Sequence, residues 1–236
     1  MGVPPSSAPS SSWTLHPDRA LPADPATRAV AREIYARTRE LPIVSMHGHV
    51  DAALLAADEP FGNPAELFVI PDHYLVRMLV SQGVRHDALG VPRADGEPVE
   101  TDPRAIWRTF CAHWHLFRGT PTRYWMEHVL AEVFGVGAPP SAHTADTLYD
   151  EISARLATPE FRPLALVDRF DLEIIATTDP ASATLEHHAD LARRGWGERI
   201  VPTFRPDALF HLDRSGWTDD VALLAERADL VVETYP

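Results

Sequence analysis

Glu173-Ile174-Ile175-Ala176-Thr177 (EIIAT) and Arg199-Ile200-Val201-Pro202-Thr203 (RIVPT) are the two stretches whose reading decides the fold. Both are short β-branched runs, and their starts, residues 173 and 199, lie 26 residues apart. Between them Asp179-Pro180 reads as a helix start and Gly195 as its stop. Strand, helix and strand at that spacing form a parallel βαβ unit. An earlier apolar run, Leu41 to Met46, reads as a short buried strand that leads straight into His47-Gly48-His49. Parallel α/β folds gather their chemistry at the carboxyl ends of strands. The three ends here are His47-Gly48-His49, Thr177-Thr178-Asp179 and Thr203-Phe204-Arg205, all polar.

Working outward, Asp24-Pro25 opens a helix whose Val30 and Ile34 repeat at i, i+4 as far as about Arg39. That helix and the first strand occupy residues 24–50, after a Pro/Ser-rich tail (1–23) expected to be disordered. Residues 51–170 read as a helical insertion. Asp72 caps a helix with Leu75, Met78 and Leu79 on one face and Gly83 as its stop. Asp102-Pro103 opens another with Ile106, Phe110 and Trp114 at i, i+4, i+8, and further helices are expected over 122–134 and 144–157. Residues 171–236 return to β/α units, with Asp219-Asp220 at a helix start. An unpaired edge after so few strands implies the first part of something longer, prone to self-association as a homo-oligomer or a loose aggregate.

Composition narrows the chemistry. The 236 residues carry 21 Arg+Lys against 34 Asp+Glu, a formal charge of −13, which argues against nucleic acid or an anionic membrane as partner. No lysine is present, so every permanent cation is an arginine. Schiff-base catalysis, pyridoxal phosphate chemistry and the Walker lysine are thereby excluded. Cys111 is the single cysteine; it excludes an intrachain disulfide and cysteine-rich zinc modules, and its aromatic neighbours make it a buried structural thiol. With no signal-like amino terminus and no apolar run near 18 residues, a cytoplasmic protein is expected.

His47 and His49, at i, i+2 past a strand, point two imidazoles to one side and make half of a divalent-metal site. A carboxylate or further histidine must come from elsewhere; two exposed loop histidines are the plainer alternative. His73 and Arg77 share a helix face that either meets an anionic ligand or pairs with nearby acids. Arg205 either clamps a carboxylate through its planar fork or pairs with Asp207. His113 and His115 read as packing or surface residues, and the His187-His188 pair as solvated.

Taken together, LPIVSMHGHVD (41–51), PDHYLVRMLVSQGV (71–84), WRTFCAHW (107–114), ARLATPEF (154–161), FDLEIIATTDP (170–180) and VPTFRPD (201–207) resemble the uronate isomerases of the amidohydrolase superfamily. The resemblance implies an α/β fold, a metal-dependent-hydrolase-type (β/α)8 (TIM) barrel of which this chain holds the first strands plus a helical insertion. It implies aldose–ketose isomerisation of a hexuronate, D-glucuronate to D-fructuronate or D-galacturonate to D-tagaturonate. His47 and His49 match the family's metal ligands, with zinc as the expected ion and manganese as the alternative. His73 and Tyr74 match the His-Tyr of its catalytic pocket, Arg205 the arginine of its FRPD segment, and Arg77 falls in a matching segment as a second substrate contact. Ala52 departs from the family's usual proline. Members are considerably longer, and their metal-binding aspartate and other second-half pocket residues have no counterpart here, so the chain alone is expected to be inactive. A metal-dependent hydrolase of the same superfamily and a non-catalytic fragment or subunit are the rival readings.

Overall fold

The computed structural model describes residues 13–232. In chain order its helices and strands are α1 (Pro25–Thr38), β1 (Ile43–Ser45), α2 (Ala52–Ala57), α3 (His73–Ser81), α4 (Pro103–Ala112), α5 (Pro121–His128) and α6 (Ala145–Leu156). They continue with α7 (Pro163–Arg169), β2 (Leu172–Pro180), α8 (Glu186–Arg193), β3 (Ile200–Arg205), α9 (Asp207–Phe210) and α10 (Trp217–Ala228). These form two compact units. A helical unit comprises the chain through Arg39 with Pro60–Phe161, and a sheet unit comprises Glu40–Glu59 with the chain from Arg162 onward. The division passes between α1 and β1, which the sequence reading grouped within 24–50. Among the described residues no helix is long and apolar enough to cross a membrane.

Aspartate side-chain caps start three helices of the helical unit, α1, α3 and α4. Asp24 accepts from the Thr27 amide at 2.7 Å, Asp72 from Tyr74 at 2.8 Å and Asp102 from Arg104 at 2.9 Å. Each satisfies an amide that the first turn leaves without a helical partner. The expected helix over 122–134 is in part π-helical: α5 ends at His128 and Val129–Val133 follows in π geometry. Trp107, Phe110 and Phe117 fill the core, and the Trp107 indole N–H donates to the Ala145 carbonyl at 3.0 Å, joining α4 to α6. The i, i+4 stripe of α1 is not a packing face: Val30 and Ile34 are 58% and 59% exposed. Periodicity specified the helix without supplying a partner for it. Within the expected tail, residues 2–12 lie outside the described residues. The segment after Trp13 makes turns, and there Asp18 accepts from Arg32 Nε at 2.8 Å.

In the sheet unit three parallel strands lie in the order β1-β2-β3. Ile175 of β2 pairs with Ile200 and the register runs on to Pro180 with Arg205. This corrects the helix start expected at Asp179-Pro180. Those residues are taken by the ladder to β3, and α8 begins at Glu186 after Leu185, whose φ is +54°. β1 is also not the buried strand expected. Among the described residues it pairs on one side only, and Ile43 and Val44 are each 49% exposed. The apolar core of this unit is small, built on Leu55, Leu164, Val167, Ile175, Leu191 and Ile200. It draws α2, α7 and α8 against β2 and β3.

Candidate functional site

The His47-Gly48-His49 turn lies between β1 and α2, whose first turn is capped by Asp51 accepting from Ala53 N–H at 2.8 Å. β2 holds the middle of the turn. The Gly48 N–H donates to the Ala176 carbonyl at 2.9 Å, and the Thr178 hydroxyl donates to the Gly48 carbonyl. The approach is close enough that a Cβ on Gly48 would stand 3.2 Å from the Ala176 oxygen. The two imidazoles converge and hydrogen-bond to each other: their Nε2 atoms are 3.0 Å apart, either one able to donate according to its tautomer, with the rings at 80°. Two nitrogens each about 2.0–2.1 Å from one tetrahedral zinc would be separated by about 3.3 Å. The donor set, two imidazole nitrogens, is also one that zinc accepts. The pair therefore fits a divalent ion. No cluster of three or more ligating side chains is assembled among the described residues.

Arg205 ends β3 and sits in the same unit as the histidine pair. Its Nε donates to Asp207 at 2.8 Å, and that hydrogen bond holds the Asp207 carboxyl below its ordinary range. The sequence left two roles open for Arg205, and in this structure the pairing with Asp207 is formed. Both side chains are about half exposed.

His73, Tyr74 and Arg77 all belong to α3 in the helical unit. The His73 and Tyr74 rings lie side by side, tilted at 34° with centres 4.1 Å apart, and Tyr74 is 64% exposed. His73 and Arg77 line one cavity of about 540 Å³, joined there by His86 and by an apolar wall that includes Ile70, Val76 and Val80. So the expected shared face of His73 and Arg77 opens onto a cavity. His86, which the sequence reading did not single out, contributes a third basic side chain to it.

His188, expected to be solvated, is buried. Its Nε2 lies 2.8 Å from the Thr177 hydroxyl, which donates to Asp179 at 2.6 Å. The threonine has one hydrogen and gives it to the carboxylate, so the histidine donates. The cause of burial is the strand's extra length: Thr177 and Asp179 alternate onto one face of β2, where α8 packs. That i, i+2 pair of polar residues was the available signal. Cys111 is buried, and desolvation pushes its thiol far up, leaving a protonated structural group.

Comparison with known proteins gives a consistent picture. The family model for glucuronate isomerase matches residues 25–236. The uronate isomerase of Rhizobium meliloti is 50% identical over 212 residues, covering 90% of this chain and 45% of that protein. That of Xanthomonas euvesicatoria pv. vesicatoria is 53% identical over 198 residues, covering 84% and 42%. The crystal structure of glucuronate isomerase from Caulobacter crescentus superposes with a TM-score of 0.85 at 44% identity, over 92% of this chain and 45% of that one. Uronate isomerase from Thermotoga maritima does so with a TM-score of 0.74 at 29% identity, over 84% and 42%. This chain spans less than half the length of these relatives. With the model matched across nearly all of the described residues, the chain belongs to the glucuronate isomerase family.

Proposed function

We propose that this chain supplies the metal-holding first part of a uronate isomerase active site. The reaction is the aldose–ketose isomerisation of a hexuronate, D-glucuronate to D-fructuronate or D-galacturonate to D-tagaturonate, in the cytoplasm. The fold is a (β/α)8 barrel whose first strands are β1–β3. His47 and His49 hold a divalent ion, zinc in this reading with manganese as the alternative, through Nε2. When bound, the ion supplies a positive charge that stabilises a developing oxyanion. Moving the carbonyl from C1 to C2 requires one proton to leave C2 and another to reach C1, while the C2 hydroxyl gives up its proton and the C1 oxygen gains one. Tyr74 and His73, side by side at the start of α3, take and return those protons. Arg205 recognises the carboxylate by its planar fork, and Arg77 assists from the cavity face of α3. For Arg205 the incoming carboxylate displaces Asp207.

The observation that carries this reading is the 3.0 Å convergence of the two Nε2 atoms past the carboxyl end of β1, in a chain of this family. Because the described residues bring only those two ligands together, the 236-residue chain taken alone is expected to convert no uronate. The test is a chimera that places this chain's matched residues in front of the remaining part of the Rhizobium meliloti relative. Ketose formation from D-glucuronate and zinc per chain are measured in the chimera and in its His47→Ala/His49→Ala variant. Turnover and zinc in the first and loss of both in the second are expected. Equal zinc content, or equal turnover, in the two proteins defeats the assignment.

A further inference from the structure

We propose that Thr178 is the positioning residue of the His47-Gly48-His49 turn, and that its hydroxyl sets the metal affinity of the pair. The inference rests on the metal reading above and adds to it the group that keeps two exposed imidazoles convergent. Neither histidine is held by packing, since both are exposed in the turn that follows β1, which among the described residues pairs with β2 alone. The turn is instead held at Gly48, and at two distinct peptide groups. The Gly48 N–H belongs to the peptide that follows His47, and it is fixed by the Ala176 carbonyl at 2.9 Å. The Gly48 carbonyl belongs to the peptide that precedes His49, and it is fixed by the Thr178 hydroxyl. One bond alone would leave the peptide before His49 free to rotate, and with it the direction of that imidazole. Two bonds on adjacent peptide planes leave the turn one orientation.

The second bond is itself well anchored. Thr178 pairs with Thr203 in the β2–β3 ladder, so its backbone is set by the centre of the sheet and not by the edge. The glycine is part of the same arrangement, since a side chain there would press on the Ala176 oxygen. Groups that orient a metal ligand without touching the ion commonly change affinity by 10- to 100-fold when removed.

The experiment is equilibrium dialysis of the 236-residue chain against zinc, with thermal unfolding of each metal-free protein alongside. Thr178→Val keeps the shape and removes the hydroxyl, and Thr178→Ser restores a hydroxyl without the methyl. We expect zinc affinity to fall at least about tenfold in Thr178→Val. Thr178→Ser should stay close to the parent, and all three metal-free proteins should share one Tm. In nitrogen-labelled protein, amide shifts caused by Thr178→Val should centre on residues 48–50. Zinc affinity equal to the parent in Thr178→Val overturns the proposal, as does a Thr178→Ser protein as weak as Thr178→Val. If Thr178→Val fails to fold, Thr178→Ala, which packs no extra methyl, takes its place with the same expected loss. The metal reading fails separately: in that case the parent and His47→Ala/His49→Ala bind zinc alike, which overturns both.

Discussion

The helical unit and the sheet unit divide the work of this chain unequally. In the helical unit Trp107, Phe110, Phe117, Leu75 and Leu79 are sealed from solvent. The apolar core of the sheet unit is a cluster of six buried residues, and the unit leaves Ile43, Val44 and Phe204 exposed at 49%, 49% and 65%. Yet the converging imidazoles, the Arg205 fork and the Thr177–Asp179–His188 network all belong to the sheet unit. Packing stabilises one unit, while directed side-chain hydrogen bonds order the polar strand ends of the other. The packed core and the polar strand ends are therefore to be probed by different substitutions.

The largest effect should come from the helical core. Trp107→Ala removes a fully buried ring and leaves the Ala145 carbonyl without its donor, at a cost of about 3–5 kcal/mol. Ile43→Ala on the exposed edge strand should cost less than about 1 kcal/mol. Urea unfolding of the two variants checks this, and comparable losses would erase the contrast between the units.

Next in size is the effect of Arg205 on turnover in the chimera. Under the proposed function, Arg205→Ala removes a bidentate, charge-assisted contact to the substrate carboxylate. A loss of about 2–4 kcal/mol in transition-state binding is a fall of about 30- to 1,000-fold in kcat/KM. Arg205→Lys should rescue poorly, because an ammonium cannot present the fork. Near-normal kinetics in the lysine variant would assign Arg205 to its Asp207 pair alone.

His188 sharpens the comparison from the sheet side. His188→Ala strips the buried Thr177 hydroxyl of its donor, costing about 1–3 kcal/mol. His188→Gln, which keeps an N–H donor of similar reach, should recover part of that loss. Denaturant midpoints decide it: if alanine is neutral, the network does not order β2.

Much of this was readable from residues alone, and the failures have one physical form. Asp24, Asp72 and Asp102 announced their helices because a cap is a local event within a few residues. Glu173–Thr177 and Arg199–Thr203 announced parallel strands because β-branched runs bounded by polar residues bury in sheets. The apolar run Leu41–Met46 announced a strand as well, but not its exposure, since burial depends on what covers an edge. Asp179-Pro180 misled because the same dipeptide that opens a helix is accepted at the end of a strand when a neighbour supplies the register. His188 misled for the same reason, its partners Thr177 and Asp179 being set by the docking of α8. At the candidate site, His47 and His49 were legible from spacing. Thr178 was not, because its bond spans 130 positions in sequence.

The smallest effect expected is the pH dependence of the Arg205–Asp207 pair. Arg205 depresses the Asp207 carboxyl below its ordinary value of 3.8 by donating a hydrogen bond to the charged form. A depressed folded-state value means that the pair's contribution is complete above the unfolded carboxylate's range. It is lost as pH falls through the lower folded value. Solvent reaches both side chains, so the contribution is small and is screened by salt. The measurement is the difference in urea midpoint between the parent chain and Asp207→Asn, taken at pH 7 and again at pH 3. That difference should be smaller at pH 3 than at pH 7, because the pair's contribution declines as pH falls from the unfolded carboxylate's range toward the lower folded value, and it should shrink also at pH 7 in high salt. A difference unchanged between pH 7 and pH 3 would mean that it does not arise from the ionised carboxyl's bond to Arg205. Arg205 would then be free to receive a substrate carboxylate without first leaving Asp207.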